Sequence, residues 1–183
     1  DFESFTDSYI DDLQRTLSQV SRSDIEALWS EVEDVGTRGG SIHMIGNGGS
    51  AATPSHSAGD WSKELKIRTI AHTDNISSFT AWANDTDFES VFSRQLQGLG
   101  KAGDVLIGIS TSGNSANIIA AIKQAKFKNL STIVFTGRSG GKLQGLSDIS
   151  INVPSEDTQR IQESHIMIGQ ILCGLIEDDL LNK

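Results

Sequence analysis

Cysteine occurs once in this chain of 183 residues, at Cys173, and proline only twice. A lone thiol excludes a disulfide framework, and its place in the apolar run IGQILCGLIE reads as a small buried core residue in a reduced, cytoplasmic setting. Two prolines beside 18 glycines and 37% hydrophobic residues exclude a disordered or fibrous chain and point to an ordinary soluble α/β protein. Positive charge is scarce too: 15 Lys and Arg stand against 24 Asp and Glu, a formal net charge of −9. Nucleic acid is therefore not an expected partner, because a phosphate backbone needs clustered cations. No apolar stretch approaches the ~20 residues that cross a bilayer, so no membrane partner is expected. The acidic start DFESFTDSYIDD is unlike a signal peptide, and Asp1 in place of Met reads as a trimmed start.

What is present is a repeated device, an apolar run emptied abruptly into small polar residues. The plainest case is Asp104 to Ser115, DVLIGISTSGNS, where Val105 to Ile109 give way to Ser110, Thr111, Ser112, Gly113, Asn114 and Ser115, followed by the helical pattern IIAAIKQAK. Strand, polar turn and helix N-terminus together make an anion cradle, and phosphate is the ligand to expect. Ser41 to Ile45 opens in the same way into Gly46, Asn47, Gly48, Gly49 and Ser50. There the glycines admit a close backbone approach, while Asn47 and Ser50 supply short polar side chains. A helix begins near Ala51, since Pro54 belongs in a first turn. A third strand, Ser131 to Phe135, delivers Thr136, Gly137, Arg138, Ser139, Gly140 and Gly141. Strands that each release a polar turn before a helix follow the βαβ logic of a parallel sheet whose ligands gather at its carboxyl edge.

The remaining elements fit that frame. Phe2, Phe5, Tyr9, Ile10, Leu13 and Leu17, then Ile25, Leu28, Trp29 and Val32, give two amphipathic helices, with Ser23 and Glu26 as the capping box of the second. Such a leading helix pair is a hint of oligomerisation. A short strand spans about Arg68 to His72, a helical turn ends at Asn84 and Asp85, and Thr86 with Glu89 caps a helix burying Phe92 and Leu96. Ile149 to Val153 is the last strand, and from Asp157 the chain is one long apolar helix. The expected architecture is one α/β domain over 1–183, with a helical pair at 1–38 and a core at 39–183.

Two constellations carry chemistry. His56 and Asp60 stand four apart on the helix after the first loop, so both face one way and can bind a metal or handle a proton together, or form a plain surface pair. In the last helix Gln162 and Gln170 fall about 80° apart on one broad face, with His165 at its edge about 60° the other way. A lone His there is more often a satisfied core residue than a ligand.

The segments IGNGGSAA, SFTAWANDTDFESVFSRQL, GDVLIGISTSGNSANIIAAI, FTGRSGGKL and VPSEDTQRIQESHIMIGQILC resemble the sugar isomerase (SIS) domain family and, within it, the phosphoheptose isomerases. The resemblance covers nearly the whole chain. It implies a three-layer, flavodoxin-like α/β fold, a homotetramer with active sites at subunit interfaces, and isomerisation of the phosphorylated sugar sedoheptulose 7-phosphate to D-glycero-D-manno-heptose 7-phosphate. By position, Asn47, Gly48, Gly49 and Ser50 would touch the sugar, Ser110, Thr111, Ser112 and Ser115 would hold the phosphate, and Asn84, Asp85 and Gln162 would line the sugar site. No nucleotide cofactor is implied. The divalent metal of zinc-containing relatives would fall to His56, Asp60, Gln162 and Gln170.

Two of those four positions depart from the family. Its members carry Glu where this chain has Asp60, and a catalytic His where it has Gln170. Shortening the base by a methylene matters because a displacement of about 1 Å can cost on the order of a hundredfold in rate. An amide neither exchanges protons near neutral pH nor binds zinc well. His165 and His72 are the imidazoles left to stand in. Asp60 as base, with His165 or a water as second acid/base, is the catalytic expectation. A noncatalytic phosphosugar-binding protein and a replication-initiator-binding regulator of the SIS type are the alternatives.

Overall fold

Five short apolar runs pair side by side into one parallel sheet in the order β2-β1-β3-β4-β5, the flavodoxin-like arrangement. The strands are β1 (Ser41–Gly46), β2 (Arg68–Ala71), β3 (Val105–Ser110), β4 (Ser131–Gly137) and β5 (Ile149–Val153). The helices are α1 (Phe2–Ser18), α2 (Arg22–Thr37), α3 (Gly49–Lys63), α4 (Ile76–Asp85), α5 (Val91–Leu99), α6 (Ala116–Phe127), α7 (Gly141–Gln144) and α8 (Thr158–Leu181). This computed structural model describes residues 1–182.

Period-two alternation in the strands sorts the core into two layers. Ile42, Met44, Val105, Ile107, Ile109, Ile133 and Phe135 face α2, α3 and α8, where Leu28, Val32, Trp61, Ile168 and Leu172 cover them. Ile45, Leu106 and Val134 point the other way, onto Phe92 and Leu96 of α5, Ile118 and Ile122 of α6 and Leu143 of α7. Helices on both faces are what a parallel sheet requires, because its strands are apolar on both sides. Trp61 is 1% exposed, and its burial contributes roughly 3 kcal/mol. The N-terminal pair is anchored through α8: the Tyr9 hydroxyl donates to Glu163, and the Arg160 guanidinium lies 3.3 Å over the Tyr9 ring.

Several boundaries differ from the sequence expectation. The cap of α2 is Ser21, whose hydroxyl accepts from Asp24 N–H at 3.2 Å, and Ser23 lies inside the first turn. Helix α3 starts at Gly49 rather than Ala51, which moves Pro54 past the first turn. The N–H that Pro54 lacks leaves the Ser50 carbonyl without its helical donor. That carbonyl turns onto Gly46, where a Cβ would meet it at 1.8 Å, so only glycine fits at the end of β1. Thr86 does not open α5. Its hydroxyl donates to the Trp82 carbonyl and closes α4, and Ser90 is the N-cap of α5. The helical turn before Asn84 and Asp85 is a full ten-residue helix whose cap, Asn75, accepts from Ser78 N–H.

Candidate functional site

Reversal of strand order between β1 and β3 opens a crevice at the carboxyl edge, and both sequence-marked loops lie there. In the β3–α6 loop, Ser110 Oγ lies 2.9 Å from Ser115 Oγ and 3.5 Å from Ser112 Oγ, and Ser112 Oγ accepts from Asn114 N–H at 3.1 Å. Gly113 makes this turn with φ 68°, and a Cβ there would stand 2.1 Å from the Gly140 carbonyl oxygen. The β4–α7 loop therefore presses directly on the serine loop and fixes it. Leu143 N–H donates to the Gly113 carbonyl, and Lys142 N–H to the Asn114 side chain. Thr111, Ser112 and Ser115 stay half-buried and open to a ligand. No side chain caps α6, so the first-turn N–H groups face the same hydroxyls.

The β1–α3 loop is tied to this cradle by a residue the sequence reading missed. Asn47 Nδ2 donates to Asn117 Oδ1 at 2.8 Å, and Asn117 Nδ2 returns a bond to Asn47 Oδ1 at 2.9 Å. The Asn47 amide thus joins the β1–α3 loop to the first turn of α6. Gly48, with φ 56°, and Gly49 are exposed, while Ser50 is buried and donates its N–H to the Asn47 carbonyl. A Cβ on Gly49 would meet the Gln162 amide at 2.7 Å, so α8 rests on the bare glycine backbone. Between α3 and α8 lies a cavity of about 310 Å³, lined by Gly49, Ala52, Thr53, His56, Gln162, Glu163 and Ile166.

At His56, one of the residues lining that cavity, three side chains converge. Gln170 Nε2 donates to Asp60 Oδ2 at 3.1 Å and lies 2.9 Å from His56 Nε2, which is itself 2.9 Å from the same carboxylate oxygen. The His56 and Asp60 side chains are 56% and 36% exposed, so a substrate can reach both. As a zinc site this set is poor, with one imidazole, one carboxylate and an amide that presents its N–H.

The other sequence-selected residues sit elsewhere. Asn84 donates to Asp85 Oδ1 at 2.9 Å, both exposed at the end of α4. His165 is fully buried in α8, where its Nε2–H donates to the Thr136 carbonyl at 2.8 Å. Burial pushes its pKa down to about 4. It is a neutral core imidazole, which removes it from the second acid/base role.

His72 belongs to a set the sequence reading did not assemble. His43, on β1, shares the face of Ile45 and so meets α5. Its Nε2 lies 3.1 Å from Asp104 Oδ2 and its Nδ1 2.9 Å from His72 Nε2, while His72 Nδ1 lies 3.2 Å from the Gln95 amide. A carboxylate only accepts, so His43 donates Nε2–H to Asp104 and accepts at Nδ1 from His72. Burial lowers the pKa of both imidazoles, that of His72 to about 4 with help from the neighbouring His43. Burial alone would raise the Asp104 carboxyl, but N–H donation from Ser41, His43 and Lys101 outweighs it and holds the group below its ordinary range.

The SIS domain family model matches residues 8–137. Among curated relatives, a phosphoheptose isomerase of Burkholderia pseudomallei is 45% identical over 151 residues, covering 80% of this chain and 77% of the relative. A solved phosphoheptose isomerase from Neisseria gonorrhoeae superposes with a TM-score of 0.92 at 35% identity, over 97% of this chain and 100% of that one. One from Francisella tularensis gives a TM-score of 0.88 at 29% identity, over 97% and 99% of the two chains.

Proposed function

We propose, from the premise that this chain belongs to the SIS-domain family and stands among its phosphoheptose isomerases, that it interconverts sedoheptulose 7-phosphate and D-glycero-D-manno-heptose 7-phosphate. The observation that carries this reading is a hydroxyl-lined loop at the carboxyl edge together with an exposed carboxylate–imidazole pair farther along α3, whose His56 lines the same cavity as Gly49.

Ser110, Thr111, Ser112, Ser115 and the first-turn N–H groups of α6 bind the phosphate, and the helix dipole favours its charge. The sugar then extends into the cavity between α3 and α8, where Gln162 and the Gly49 backbone line its path. Asp60 removes a proton from C1 of the ketose, the electron pair forms the C1=C2 bond, and the C2 carbonyl becomes an enediolate oxygen. Return of the proton to C2, with the hydroxyl proton moving from O1 to O2, leaves the aldehyde. His56, in contact with Asp60 and open to solvent, is the imidazole placed to carry the hydroxyl proton, the task that burial denies to His165.

We extend the reading to assembly and setting. Met167, Ile171 and Leu175 are exposed on α8 beside Gln170, an apolar stripe that a second copy of the chain would cover. A tetramer with sites at its subunit interfaces accounts for such a stripe at the rim of the site. No helix among the described residues is long and apolar enough to cross a membrane, and the one thiol is free and buried, in keeping with a cytoplasmic enzyme.

Incubation of the purified protein with sedoheptulose 7-phosphate in deuterium oxide tests the chemistry. The expected result is the aldose phosphate carrying solvent deuterium at C2. Tight calorimetric binding without any conversion would replace this reading with that of a noncatalytic phosphosugar-binding protein.

A further inference from the structure

We propose that the site of this chain has exchanged a metal ion for an amide: the Gln170 N–H group holds Asp60, and the proton transfer runs with no bound cation. The inference rests on the isomerase reading above. Its physical basis is the triangle of Asp60 Oδ2, His56 Nε2 and Gln170 Nε2, with edges of 2.9, 2.9 and 3.1 Å. The Gln170 vertex is an amide nitrogen, which donates two protons and has no lone pair to offer a cation. Donation to the carboxylate places an N–H against the oxygen that would otherwise attract a metal. The His56 Nε2 either donates to Asp60 or accepts from Gln170, according to its tautomer.

Turning the amide over would not restore a good site. The resulting donors would be one nitrogen and two oxygens, whereas three-ligand zinc sites draw on imidazole, thiolate and carboxylate. Gln162, the fourth family position, stands against Gly49 in the lining of the cavity and makes no bond to Asp60, His56 or Gln170. Nowhere among the described residues do three or more His, Cys, Asp or Glu side chains gather into a metal-binding group. Gln170 is therefore a positioning residue, which holds the Asp60 carboxylate through an N–H donated at 3.1 Å.

Zinc chloride titrated into the EDTA-stripped full chain, in competition with a chromophoric chelator, tests this without reference to turnover. Second-shell changes alone move metal affinity by about 10–100-fold, so Gln170→His, which adds a ligand, is expected to tighten zinc binding by on the order of a hundredfold over wild type. The Asp60→Glu/Gln170→His double variant serves the same purpose should the single variant fold poorly. Wild-type turnover of sedoheptulose 7-phosphate is expected to be equal with and without excess EDTA. One zinc bound per wild-type chain as tightly as in Gln170→His would overturn the inference, as would turnover lost in EDTA and restored by zinc. Absence of turnover under both conditions would defeat the isomerase reading instead, and the titration would still decide the metal question.

Discussion

Two carboxylate–imidazole–amide sets belong to this one domain, one at the sheet and one between α3 and α8, and they differ in access. Asp104, His43, His72 and Gln95 are joined at 3.1, 2.9 and 3.2 Å, and Asp60, His56 and Gln170 at 2.9 to 3.1 Å. By residue type and distance the two are alike. Access separates them: His43 is 0% exposed and His72 1%, whereas the His56 side chain is 56% exposed. In the buried set Asp104 already accepts N–H groups from Ser41 and Lys101, so its lone pairs stitch the start of β3 to β1. In the open set the imidazole lines a cavity between α3 and α8. The same functional groups thus tie the fold together in one place and, on the function proposed above, carry the reaction in the other.

The comparison can be broken most severely at the bases. Asp60→Asn is expected to lower kcat/KM by about 10³-fold, within the range for a lost general base, while the melting temperature stays within about 2 °C of wild type. Asp104→Ala should show the converse. Removing a carboxylate that serves two backbone N–H groups and a buried imidazole is expected to cost about 3–4 kcal/mol in urea unfolding, with turnover per folded molecule unchanged. If Asp104→Ala instead abolished turnover in a stably folded protein, the division of labour would fail.

A pH titration sharpens the same contrast. His72 and His165 both have folded pKa values of about 4, below the 6.5 of an unfolded imidazole. Each therefore stays neutral in the folded protein while the unfolded chain takes up its proton. Their stabilisation is complete above pH 6.5 and is lost as pH falls from there to about 4, by about 3 kcal/mol per histidine. Denaturation midpoints measured across that window should fall steeply, and substitution of His165 by a nonionisable residue should flatten the fall. The smallest expected effect lies in the phosphate grip. Ser112→Ala should raise KM about tenfold with kcat nearly unchanged, since one hydroxyl bond to a charged group is worth about 1.5 kcal/mol.

What the sequence disclosed follows from how local each signal is. The strands and both polar turns were readable because an apolar run ending in Ser, Gly and Asn is contiguous. The pairing of His56 with Asp60 was readable because four residues make about one helical turn. The capping pattern was ambiguous for a local reason: Ser21 and Ser23 both precede an acidic residue at the right distance, and only Ser21 lies at the chain reversal. The buried relay was out of reach, because its bonds join residues 61, 29 and 23 apart. The bond of Asn47 to Asn117, 70 residues away, leaves no local trace in the sequence. Gln170 was readable only as sharing a broad helix face with Gln162. Its junction with His56 and Asp60 depends on α8 crossing α3, which no periodicity encodes.

Conversion of sedoheptulose 7-phosphate by the wild-type chain and by Asp60→Asn, each in excess EDTA, is the most direct test of the central claim that the open set performs the chemistry. The account predicts steady formation of the aldose phosphate by wild type and a rate about a thousandfold lower for the variant. Equal rates for the two proteins, or no product from wild type in EDTA or with added divalent metal, would contradict it.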